Sequence, residues 1–216
     1  NIKEFLKRIN DESFTAKTIA ALLLSECARL YEDKPGDDTT AAAILIKKRR
    51  QVNLLIGPPE DPSDADKMLS LFFSKEGDHI VCGGTTSMLA AKYLHKELVP
   101  LIEYAAPDIP PCAAIEGVDL VTEGVITINK VVENGRSYMH DGKSFSDFKF
   151  ARDGASKISE MLFEQATDIN FFVGRAINPA HQNPKLPIRF SIKMQLIDEL
   201  ANCLQTMGKK IKVSYF

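Results

Sequence analysis

From residue 53 to the C-terminus, short apolar runs alternate with amphipathic stretches of helical period, and few architectures accept that order. The apolar runs at 79–83, 118–122, 169–174 and 210–215 predict strands, and the stretches at 63–75, 86–96, 123–134, 153–166 and 191–207 predict helices. One more short strand lies in "QVNLLI" and ends at Gly57-Pro58-Pro59. The alternation predicts an α/β fold: a mainly parallel, Rossmann-like sheet with helices on both faces. The proline-rich stretch 98–117 and the stretch 178–187 read as irregular connections.

The first fifty residues have a different character. "NIKEFLKRIN" sets Ile2, Phe5, Leu6 and Ile9 on one helical face, and "TAKTIAALLLSECARLY" predicts a longer helix capped by Ser13 or Thr15. Pro35-Gly36 stops that helix, and "TTAAAILIKK" then predicts a strand. Two units are expected, 1–52 and 53–216. Apolar residues make up 44 % of the chain, enough for a sizeable core. A net charge of -2 gives no electrostatic ground for a nucleic-acid partner. The basic run Lys47–Arg50 lacks interleaved aromatics and reads as a solvated strand end. No apolar run is long enough to span a bilayer, so no membrane partner is expected in this part. Four scattered cysteines without a Cys-x-x-Cys pair argue against zinc and for reduced thiols in the cytoplasm. The chain opens on Asn1, which reads as a processed boundary.

Four stretches carry candidate chemistry. Asp37 and Asp38 in "GDDTT" have the oxygen ligands that Mg²⁺ or Mn²⁺ prefers, although a polar turn would use the same residues. In "HIVCGGTTSMLAAKYL", Gly83 and Gly84 follow a strand, and Thr85 and Thr86 open a helix whose free amides suit an anion. A tight turn with a threonine cap is the bland alternative. Thr122 and Glu123 stand at a second strand-to-helix junction; Glu123 would bind a hydroxyl or a cation, or only favour its own helix dipole. Arg175 follows the strand "FFV" and could pair with phosphate or carboxylate, with Asn178 and His181 in the polar loop beyond. A parallel sheet would gather Gly83–Thr86, Thr122 and Arg175 around one crevice.

The run "KPGDDTTAAAILI", preceded by an Ala/Leu-rich helix, resembles the C-terminal end of the PPM-type metal-dependent serine/threonine phosphatases. The likeness is to the stage II sporulation protein E branch. This resemblance implies that Asp37 is a metal ligand and Asp38 its supporting neighbour. It implies Mg or Mn in the complete parent protein, with none tightly bound here. The other motifs of such an enzyme would lie N-terminal to Asn1, and the two Asp-Gly pairs at 141–142 and 153–154 lack the second glycine. Residues 1–52 would then be a helix–strand remnant of the phosphatase domain, and 53–216 is similar to the accessory domain that follows it in some members. The parent would act on a phosphoprotein substrate, this chain alone being inactive. The α/β domain would bind an anionic small ligand, and a homodimer stands as a further candidate assembly. Two alternatives remain: a stand-alone sensor of a phosphorylated metabolite or nucleotide, and a sugar-phosphate isomerase-like enzyme using Glu123 or His181 as base.

Overall fold

The computed structural model describes residues 2–9, 14–34, 36–101, 109–140, 151–176 and 192–216. Seven strands, β1 (Gln51–Ile56), β2 (Asp78–Cys82), β3 (Val99–Pro100), β4 (Ala113–Ala114), β5 (Leu120–Thr122), β6 (Asp168–Val173) and β7 (Lys210–Tyr215), form one sheet in the order β3-β4-β5-β2-β1-β6-β7. The five strands β5-β2-β1-β6-β7 are parallel, and β3 and β4 add an antiparallel edge. The sheet is therefore mixed, and two very short strands occupy the stretch expected to be irregular. Pro100 is tolerated because β3 is the outermost strand and its missing N–H faces no neighbour.

The helices are α1 (Ile2–Ile9), α2 (Ala16–Leu30), α3 (Ala65–Phe73), α4 (Gly84–Leu94), α5 (Val125–His140), α6 (Gly154–Ser159) and α7 (Ile192–Thr206). A 3₁₀ turn, Pro62–Asp64, leads into α3, and α6 runs on as a π-helical turn, Glu160–Gln165. Asp61 starts the third helical stretch, its side chain accepting the amide of Ser63 at 2.8 Å. Thr15 caps α2 and Asp153 caps α6, each through its own side chain.

The near-continuous apolar runs of β1 and β6 reflect burial on both faces, as parallel strands require. Val52, Leu54, Ile56, Ile80, Ile169 and Phe171 meet α5, α6 and α7 on one face. Leu55, Val81, Val121 and Phe172 meet α3 and α4 on the other. Each fully buried side chain of this size contributes roughly 1.5–3 kcal/mol. Chain order runs β1→β2→β5 toward one edge and β6→β7 toward the other, so the direction of winding reverses between β1 and β6.

The strand expected at 39–48 does not form. Residues 38–50 have no regular secondary structure, and Ile44 and Ile46 are each 95 % exposed. The composition suits a strand, but a strand needs a ladder partner, and no described strand pairs with that segment. α2 does dock on the α/β body. Its N-terminal amide, that of Thr15, and the Thr18 hydroxyl both donate to the buried Glu164 carboxylate, at 2.7 and 2.8 Å. No helix among the described residues is long and apolar enough to cross a membrane.

Candidate functional site

The carboxyl ends of the four adjacent strands β5, β2, β1 and β6 are each followed within two residues by a glycine: Gly124, Gly83, Gly57 and Gly174. Glycine is needed at Gly83, whose φ of 107° favours a residue without a Cβ. It is needed at Gly174 for a different reason, since a Cβ there would run into the Pro58 carbonyl. That close approach, with the Ala176 amide donating to Pro58 O at 3.2 Å, closes the gap between β1 and β6 where the winding reverses. A cleft of about 390 Å³ opens instead over β1, β2 and β5.

Gly57, Gly83–Thr86, Glu123, Gly124 and Lys193 are among the residues that line it. The first-turn amides of α4, those of Gly84, Thr85 and Thr86, have no intrahelical partner, and Gly83 has no side chain to cap them. Thr86 is 1 % exposed, and its Oγ1 accepts the amide of Gly57 at 3.0 Å. Ser87 Oγ turns back to donate to Gly83 O at 2.8 Å. A Cβ built on Gly124 would stand 3.3 Å from Gly83 Cα, so the starts of α4 and α5 touch through their glycines.

Lys193, in the first turn of α7, reaches across and donates to the carbonyls of Gly174 and Ala176. Burial pushes its ammonium down to about 8, and among the described residues no carboxylate pairs with it. The buried Cys82 thiol goes the other way: burial raises it to about 12, only partly opposed by the Thr122 hydroxyl at 3.4 Å. At neutral pH Cys82 is a small apolar wall and no nucleophile.

The structure thus brings Gly83, Gly84, Thr85, Thr86 and Glu123 together. Thr122 is buried beneath them, its hydroxyl donating to Glu123 O at 2.8 Å and its methyl facing Gly154. Arg175 lies at the same sheet edge but does not line the cleft; it pairs with Glu60 at 3.3 Å, with more than half of its side chain exposed. Asn178 and His181 lie outside the described residues. Lys193 was not foreseen from the sequence. Its one local signal is a lysine in the first helical turn, where the dipole disfavours a cation unless something else uses it.

Asp37 and Asp38 are exposed, and Asp37 Oδ1 accepts the Asp38 amide at 2.8 Å. Among the described residues no further His, Cys, Asp or Glu joins them in a group that could hold a metal ion. Two carboxylates without convergent partners do not make a catalytic metal centre. Compared with family models, curated proteins and solved structures, the chain gives no match.

Proposed function

We propose that residues 51–216 form a binding module that takes a small anionic ligand in the cleft over β1, β2 and β5. The observation that carries this reading is the convergence of unpaired α4 amides, the Thr86 hydroxyl and the Lys193 ammonium on one concave site. Every one of these groups is a hydrogen-bond donor, and an anion supplies the acceptors.

The chain as a whole is proposed to be the C-terminal region of a cytoplasmic, sporulation-E-like metal-dependent protein phosphatase, with this module as its regulatory domain. What supports that part is the "KPGDDTTAAAILI" motif and the outward-facing Ile44 and Ile46 that follow it. Asp37, with Asp38 beside it, would contribute to the parent's Mg or Mn site, completed by residues outside this chain. An open reading frame upstream of Asn1 that lacks an Asp-Gly-x-Gly turn would remove the phosphatase assignment. A stand-alone sensor of a phosphorylated metabolite would then use the same cleft.

Gly84 gives the direct test of the cleft. A Cβ at Gly84 would meet nothing within 4 Å, so a side chain there projects into open space. Gly84→Val should leave the fold intact and fill the anion seat. Phosphate at ten times its dissociation constant stabilises a single-site protein by about 1.4 kcal/mol. For a chain of this length that raises Tm by roughly 3–6 °C. We expect that shift in the wild type and its loss in Gly84→Val; a wild type indifferent to phosphate, nucleotides and sugar phosphates would overturn the reading.

A further inference from the structure

Donors crowd one wall of the cleft and a carboxylate occupies the other, so one ligand group cannot satisfy both. On the α4 side, the amides of Gly84, Thr85 and Thr86 line the cleft without a partner among the described residues. The Thr86 hydroxyl, buried and already accepting from Gly57, has no acceptor for its own hydrogen among the described residues. Lys193 spends two of its three N–H bonds on Gly174 and Ala176, which leaves the third for a ligand. A planar carboxylate offers two oxygens. A phosphoryl group offers three in a tetrahedron, each able to accept more than once, and suits donors arriving from several directions.

Glu123 sets the second requirement. One carboxylate oxygen accepts the Ile126 amide at 3.2 Å as a helix cap, while the other meets no donor among the described residues. An ionised carboxylate only accepts, so beside a bound anion it repels unless the ligand presents a neutral donor to it. Because Gly83 and Gly124 touch, that donor must sit within a few bonds of the phosphoryl group. The cleft's 390 Å³ leaves room for such a body beyond a single tetrahedral anion.

Building on the anion-binding reading above, we infer that the cleft takes a small phosphomonoester that also carries hydroxyl groups, its phosphoryl on the Gly84–Thr86 turn and Lys193, its hydroxyl on Glu123. Isothermal titration of the full chain with inorganic phosphate, glycerol 3-phosphate, ribose 5-phosphate and free ribose tests it, in the wild type and in Glu123→Gln. The amide oxygen of Gln keeps the helix cap and removes the charge. At least one hydroxylated ester should bind the wild type ten-fold or more tighter than inorganic phosphate, and ribose should not bind. In Glu123→Gln that advantage should vanish, while inorganic phosphate binds as well as before or better, since a like charge has gone. Equal wild-type affinities for phosphate and all esters, or an advantage that survives Glu123→Gln, would overturn this inference and leave the anion site standing. Absence of binding by every anion would remove both.

Discussion

Lys193 carries the electrostatic cost of the cleft. Its folded pKa of about 8 lies below the ordinary 10.5, so burial disfavours the charged form in the folded state. Between about 8 and 10.5 the unfolded chain holds a proton that the folded chain has released, and stability rises with pH across that window. Lys209, also lowered to about 8 by burial, acts in the same direction. Cys82 acts oppositely: above its ordinary 9.0 the unfolded thiol ionises while the folded one, raised to about 12, does not. The net slope mixes these groups, but the difference between wild type and Lys193→Met isolates one of them. Urea titrations at pH 8 and pH 10 should show a smaller gain for Lys193→Met than for the wild type. Losing one charge-assisted bond of roughly 1.5–3 kcal/mol should also weaken phosphate binding at pH 7 at least ten-fold. In the wild type the affinity for a phosphomonoester should fall between pH 7 and pH 9, as Lys193 discharges. A flat profile over that range would remove Lys193 from the anion seat.

At the level of elements, the junction between α2 and the α/β body centres on one buried carboxylate, with Lys17 donating beside it to Tyr138 O at 2.6 Å. Glu164, 1 % exposed in the π-helical turn, accepts from the Thr15 amide, the Thr18 hydroxyl and the Tyr138 hydroxyl, the last at 2.7 Å. Burial and that carboxylate hold the Tyr138 phenol well above its ordinary range. Glu164→Ala takes the acceptor from the Thr15 amide and leaves the Thr18 and Tyr138 hydroxyls only each other and Thr15 Oγ1, and should cost about 3 kcal/mol. Tyr138→Phe removes the phenol's bond to Glu164 and its contacts with Thr15 and Thr18 Oγ1 at 3.0 and 3.3 Å, but leaves the carboxylate two donors, and should cost about 1–2 kcal/mol. Hydrogen exchange should show α2 losing protection first in Glu164→Ala; an unchanged α2 would mean that other contacts hold it. The cap of α2 could be read from sequence because Thr15 bonds to backbone within three residues. The alternation of β1, β2, β5 and β6 with helices was legible for the same local reason. The Glu164 junction was not, since it joins residues 149 apart. The segment 39–48 misleads because Ala, Ile and Leu in that order describe what a strand can be made of, not whether another strand lies alongside. The choice between Arg175 and Lys193 was equally hidden: it depends on Glu60 drawing Arg175 away, and no short-range pattern records that.

Across the whole molecule, protection should follow the sheet. The amides of Thr39 to Ile46 find no hydrogen-bond partner among the described residues and should exchange at nearly the rate of an unfolded chain. Those of β1, β2 and β6, in the middle of the sheet, should exchange only by global opening; slow exchange at 39–46 would reveal a strand partner for that segment in solution. The closed gap between β1 and β6 bears on how such a sequence can drift. At Gly174 the Pro58 carbonyl forbids any side chain, whatever the cleft holds, while at Gly84 the backbone is permissive and only an occupant would object. A library of random variants sorted for soluble expression alone would therefore keep Gly174 and let Gly84 wander. Sorted again for survival of the function, it would fix both, and the difference between the two sorts would mark out the ligand's footprint without anyone having to know its name.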